Sequence, residues 1–186
     1  MVELSVIRDL VAIFGVIAGF SYYVMTVRNQ NKTRQTQLFM QLYQSRYNAE
    51  GVKQFWRAVM LEWEDFDDYM KRYGPFENPE ITDELAIITA QWNYFDGLGI
   101  LLKDRMLDEN TVYKMIGVRI LMVWFKCEAI IDKVRFQRGE PSAGGDYMEG
   151  FEYLANRMIE IRKKKGIPLP TSWIHPTTTR YKHLIQ

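Results

Sequence analysis

The sequence predicts an all-α protein: an N-terminal transmembrane helix followed by a cytosolic helical bundle of about five helices. Three observations carry this expectation. Residues 10–27, "LVAIFGVIAGFSYYVMTV", contain no charged side chain. The remainder repeats apolar residues at i, i+3, i+4 and i+7, the period of amphipathic helices. No stretch of useful length alternates apolar and polar residues as a half-buried strand does.

As a helix, residues 10–27 extend roughly 27 Å at about 1.5 Å per residue. That is close to the ~30 Å hydrocarbon thickness of a bilayer. Nine of these residues are Leu, Ile, Val or Phe. Together they favour insertion by roughly 3–5 kcal/mol. A buried soluble helix carries a polar residue every turn or two, and this one does not. A cleaved signal needs a basic leading region, whereas Glu3, Arg8 and Asp9 precede the run. A retained anchor is therefore expected. Arg28, Lys32, Arg34 and Arg46 follow it before any acid appears at Glu50. By the positive-inside rule the C-terminal side lies in the cytoplasm and residues 1–9 form a short external N-terminus. The expected location is the plasma membrane, crossed once. Ala12, Gly15 and Gly19 make a small-residue stripe at i, i+3 and i+7. Such a stripe permits close helix approach and, with it, a homodimer through the anchor.

Residues 28–37, which include "NQNKTRQTQ", form a polar stalk, either a continued helix or a flexible spacer. A cytosolic helical domain is expected over 38–166. Its first helix carries Leu38, Phe39, Leu42, Tyr43 and Tyr47, with Gly51 breaking or bending it. A second runs from Val52 through Phe55, Trp56, Val59, Met60, Trp63, Phe66, Met70 and Tyr73 to Gly74-Pro75. "ENPEITDE" is a connector, with Asn78 or Thr82 as a cap for the third helix. That helix shows Leu85, Ile88, Trp92, Phe95, Leu98 and Leu102. Asp108 caps the fourth, expected over 109–137, whose "ILMVWF" marks it as the most buried. "RGEPSAGGD" is a loop. The fifth helix, about 146–165, points Tyr147, Phe151, Leu154, Met158 and Ile161 inward. It ends in "RKKKG", with cations at the negative helix terminus and glycine after it. Residues 167–186 hold three prolines and are expected to be extended or disordered.

The balance of 24 basic against 23 acidic side chains gives no global pull toward nucleic acid, so no specific nucleic acid is expected. Cys127 is the single cysteine, which excludes an internal disulfide or a multi-cysteine zinc site. The chain has no G-x-S-x-G, Walker or H-E-x-x-H signature. "FDGLG" lacks the preceding strand and further glycines of a phosphate loop. No catalytic residue, metal ligand or cofactor is expected.

Three features invite chemistry. "EWEDFDDY" gathers Glu62, Glu64, Asp65, Asp67 and Asp68, with Glu64 and Asp68 at i, i+4. The cluster is read as a solvated acidic face, against a membrane-tethered metal-dependent hydrolase or nuclease. Arg119 lies inside "MIGVRILMVWF". A buried guanidinium needs acceptors, so an ion pair with Asp96 or Glu64 is expected, against an anion-binding pocket or a side chain that snorkels to solvent along its stem. A third reading places a small-molecule ligand near Trp124, as in a sensor.

The order of one span, a polar stalk, "WNYFDGLGILLKDRMLDENTVYKMIG" and "YMEGFEYLANRM" resembles a family of small membrane-anchored helical proteins of unknown function from bacteria and archaea. The resemblance rests on Phe95-Asp96-x-Leu98-Gly99, Asp108 before Val112, and Phe151-Glu152-x-Leu154. It implies the anchor-plus-bundle architecture and no reaction. The function expected is a membrane-anchored interaction or scaffold module with an unknown protein partner, its anchor in contact with membrane lipid.

Overall fold

A computed structural model describes residues 4–74, 83–137, 146–169, 171–178 and 180. The expected caps Asn78 and Thr82, most of "RGEPSAGGD" and residues 181–186 lie outside them. The described residues are helical, with no strand among them. The helices are α1 (Leu4–Arg46), α2 (Ala49–Met60), α3 (Phe66–Tyr73), α4 (Asp83–Lys103), α5 (Glu109–Gln137) and α6 (Glu149–Lys164), followed by a 3-10 turn at Thr171–Trp173.

The segments expected as anchor, stalk and first bundle helix are one uninterrupted element. α1 has 43 residues, about 65 Å of helix. The stalk carries no proline or glycine, so nothing interrupts the backbone ladder. None of the apolar window is buried, whereas Phe39 is 1 % exposed and Leu38, Leu42, Tyr43 and Tyr47 pack against the core. Burying one phenylalanine contributes about 1.5–3 kcal/mol, enough to fix where the helix docks. Gln35 Nε2 donates to the Arg105 carbonyl at 2.7 Å, adding a polar contact at the first docked turn.

The break after α1 comes from Asn48. Its side chain caps α2 by accepting from Gly51 N at 2.7 Å. Gly51 is not the breaker. It sits in the first turn of α2, where a Cβ would lie 1.9 Å from the Arg46 carbonyl oxygen. The single helix expected over 52–73 is two. Leu61 turns extended, and Asp65 starts α3 by accepting from Asp68 N at 2.9 Å. Asp68 reaches back to Glu64 N at 3.0 Å, one residue before the cap, so the two aspartates together hold the start of α3. The break changes which face is buried. Phe55 and Ala58 point inward from α2, while Trp56 and Met60, expected inside, are exposed.

α4 ends in a Schellman turn: Met106 N donates to Leu101 O and Arg105 N to Leu102 O, with Arg105 left-handed at φ 59°. Asp108 then caps α5 through Thr111 N at 2.8 Å. Leu107 and Val112, both buried, flank that cap as a hydrophobic staple. α5 is buried nearly all round between Ile120 and Ile131, as its composition predicts.

α4 packs most extensively against α6. A Cβ on Gly99 would stand 1.7 Å from the Gly150 carbonyl oxygen, so the two backbones touch with no room for a side chain. Gly97, two residues away, has open space around it. Gly99→Ala must push the helices apart and is expected to cost about 1–3 kcal/mol. Gly97→Ala only removes helix-interior glycine entropy and should stabilise by about 0.5–1 kcal/mol. Urea denaturation of both variants in detergent micelles checks the opposite signs.

Candidate functional site

The acidic cluster, read as a solvated face, is a helix start. Glu62, Glu64, Asp65 and Asp67 face solvent. Asp65 and Asp68 are used in capping α3, and Asp68 Oδ1 also accepts from Arg72 Nε at 2.7 Å. Those hydrogen bonds hold the Asp68 carboxyl below its ordinary value. Among the described residues no group of three or more His, Cys, Asp or Glu side chains is arranged to hold a metal ion.

The expected pairing of Arg119 with Asp96 or Glu64 is not what the fold builds. Arg119 is half-buried, and its guanidinium lies 4.1 Å from the Tyr47 ring centroid and 5.1 Å from that of Phe55. Two aromatic faces stand where a carboxylate was expected, and the planar guanidinium stacks on them. Burial pushes the Tyr47 hydroxyl up to about 12, so that ring stays neutral beside the cation. The joint links the end of α1, α2 and α5.

Asp96 has a different task. Its Oδ1 accepts from Phe151 N at 3.0 Å, capping α6 from across the α4–α6 interface. Ala12, Gly15 and Gly19 lie exposed on the anchor, and neither glycine has an atom near the place of a Cβ. Trp124, beside which the sensor alternative placed a ligand, is fully buried edge-on against Phe151 at 5.0 Å. Cys127 is buried too, which pushes its thiol up to about 12 and keeps it protonated.

The chemistry left unread in the sequence lies where the tail meets α5. Residues 171–178 run over the bundle. His175 N and Thr178 Oγ1 both donate to the Phe125 carbonyl, at 3.2 and 2.9 Å. His175 Nε2 lies 3.0 Å from the Trp63 carbonyl and must donate there, so Nδ1 accepts from the Thr177 hydroxyl at 2.8 Å. This neutral ring stacks on Trp63, and burial lowers its pKa. A cavity of about 200 Å³ opens beside it, lined by Val59, Met122, Lys126, Trp173 and His175.

Two residues beyond Thr178, Arg180 enters a bay of three carboxylates: Glu128 and Asp132 on α5, and Glu152 on α6. Arg135 supports the bay from below. Its Nη1 pairs with Glu152 at 2.6 Å and Asp132 at 3.4 Å, and its Nε donates to the Tyr147 carbonyl at 2.7 Å. Glu128 is 2 % exposed, and desolvation pushes its carboxyl up to about 7 against the pull of Arg180. The sequence signal was available: Glu128, Asp132 and Arg135 stand at i, i+4 and i+7 on one face of a helix otherwise apolar there.

With that geometry in place, comparison with known families is informative. A domain of unknown function, DUF4760, matches residues 9–158. The chain belongs to the DUF4760 family. The match takes in the apolar half of α1, the Gly99–Gly150 contact, the Asp96 cap and all of the bay except Arg180. No curated protein and no solved structure matches the chain.

The raised Glu128 pKa gives this DUF4760 protein a pH dependence of definite sign. Below the ordinary glutamate value near 4.5 the carboxyl is protonated whether the chain is folded or not. Between there and about 7 the unfolded chain ionises and the folded one resists, so the contribution of Glu128 to stability is lost as pH rises. Glu128→Gln removes that loss. Its stability relative to the parent should improve by on the order of 2 kcal/mol between about pH 5 and pH 8, read from melting curves.

Proposed function

We propose that this DUF4760 chain is a membrane-anchored helical interaction module, with its bundle held at the cytoplasmic face of the plasma membrane. One observation carries the reading: a single uninterrupted helix has no buried residue in its apolar window and is packed into the bundle over its other end. An apolar helix long enough to cross a membrane, with none of its apolar window buried, needs a non-aqueous surrounding.

The spacing supports a bundle close to the bilayer. The apolar run ends at Val27, and Gln35 makes the first contact with the bundle. Gln35 stands eight positions beyond Val27, a rise of about 12 Å, enough to clear the ~5–7 Å headgroup layer on one side of a bilayer. Arg28, Lys32 and Arg34 occupy this stretch, exposed and without an ion-pair partner among the described residues. Each adds about 1 kcal/mol of attraction to anionic headgroups, and together they favour the cytoplasmic side. Because α1 has no break, the bundle is carried as a rigid head and its exposed faces are presented to partners next to the membrane.

Cysteine accessibility tests the topology. Cys127 is buried and stays silent toward a membrane-impermeant maleimide. Leu4→Cys should label in intact cells, and Lys114→Cys, on an exposed bundle position, only after permeabilisation. Labelling of Lys114→Cys from outside, or recovery of the parent chain in the soluble fraction, would contradict the reading.

A further inference from the structure

The bay at the α5–α6 junction has the shape of its occupant. Each nitrogen of the Arg180 guanidinium meets a different carboxylate. Nε stands 3.3 Å from Glu128 Oε1, Nη2 stands 3.0 Å from Asp132 Oδ2, and Nη1 bonds Glu152 Oε1. Arg135 holds the other oxygens of Asp132 and Glu152, so these two acceptors are fixed before Arg180 arrives. Glu128 is different. It is almost fully buried: Arg180 Nε stands against its Oε1, and Oε2 has no hydrogen-bond partner even with Arg180 in place. A buried carboxylate with an open lone pair calls for a donor. A lysine ammonium is a compact point charge and does not span three acceptors set on two helices, whereas the planar fork of arginine does.

We propose that Glu128, Asp132 and Glu152 form a guanidinium-binding site, filled in cis by Arg180 and able to take an arginine side chain from outside when the tail withdraws. The part of this that concerns an outside arginine rests on the interaction-module reading, because such a side chain belongs to a protein partner. Exchange needs no opening of the core. Arg180 is 40 % exposed, so its guanidinium can leave directly into solvent. The segment that delivers it is held mainly by the Phe125 and Trp63 carbonyls, contacts that do not involve the bay. Glu128, Asp132, Arg135 and Glu152 lie inside the DUF4760 match and Arg180 outside it.

The test is chemical rescue on the full chain in detergent micelles, followed by thermal melting. Arg180→Ala should melt below the parent. Millimolar L-argininamide should restore at least half of that loss, and L-lysinamide at the same concentration should not. The parent, with its bay filled, should not respond to either. Adding Glu128→Gln to Arg180→Ala should abolish the rescue. If Arg180→Ala does not melt cooperatively, Arg180→Lys keeps the charge, loses the fork and carries the same test. Absence of rescue in the folded variant, equal rescue by lysinamide, or an equal shift in the parent would overturn the proposal. The maleimide result above is independent of all these outcomes, so failure of the bay and failure of the anchor are told apart.

Discussion

The structure depends on one borrowed helix cap. α6 begins at Met148, a buried residue in the left-handed region at φ 59° whose thioether cannot accept from the first amides. Asp96 supplies the missing acceptor from α4 through Phe151 N. A cap of this kind contributes about 1–2 kcal/mol, and a carboxylate at a helix N-terminus adds about 0.3–1 kcal/mol through the helix dipole. The carboxylate reaches that amide because Gly99 and Gly150 let the backbones meet. The same approach stacks Phe95 on Phe151 at 5.2 Å, sets Trp124 edge-on to Phe151, and pairs Lys103 with Glu149 at 2.5 Å.

The carboxylate bay follows from that register. Glu152 is one residue beyond the capped Phe151, so the cap sets which side of α6 it occupies and how it meets Asp132 and Glu128. Arg135 reads the same junction twice, through the Tyr147 carbonyl before the helix and Glu152 within it. At the opposite end, Arg119 between Tyr47 and Phe55 joins the bundle to α1.

How much of this was legible in the sequence depends on the range of the interaction. The all-α class, the apolar half of α1 and the inward faces of α4 and α6 follow from periodicity, a local property. Asp108 was readable as a cap for the same reason: its partner, Thr111, is three residues away. Asp65 and Asp68 carried an equally local signal, but a face continuous on a helical projection from Val52 to Tyr73 hid the break. The roles of Asp96 and Arg119 were not legible. Asp96 acts on an amide 55 residues distant, and Arg119 meets rings from α2 and the end of α1. The requirement that a buried guanidinium find partners was sound, yet it does not say whether they are carboxylates or aromatic faces. The three prolines after Ile167 suggested an extended or disordered tail, and prolines do not report the carbonyls of Phe125 and Trp63 that hold it.

Amide hydrogen exchange at Phe151 tests the borrowed cap most directly, because no other acceptor for this N–H lies within its own helix. In Asp96→Ala the Phe151 amide should lose protection, and global stability should fall by about 1–2 kcal/mol. Asp96→Asn, which keeps an acceptor oxygen, should retain most of both. Unchanged Phe151 protection in Asp96→Ala, with a melting temperature matching the parent, would contradict the claim that Asp96 holds α6 in place.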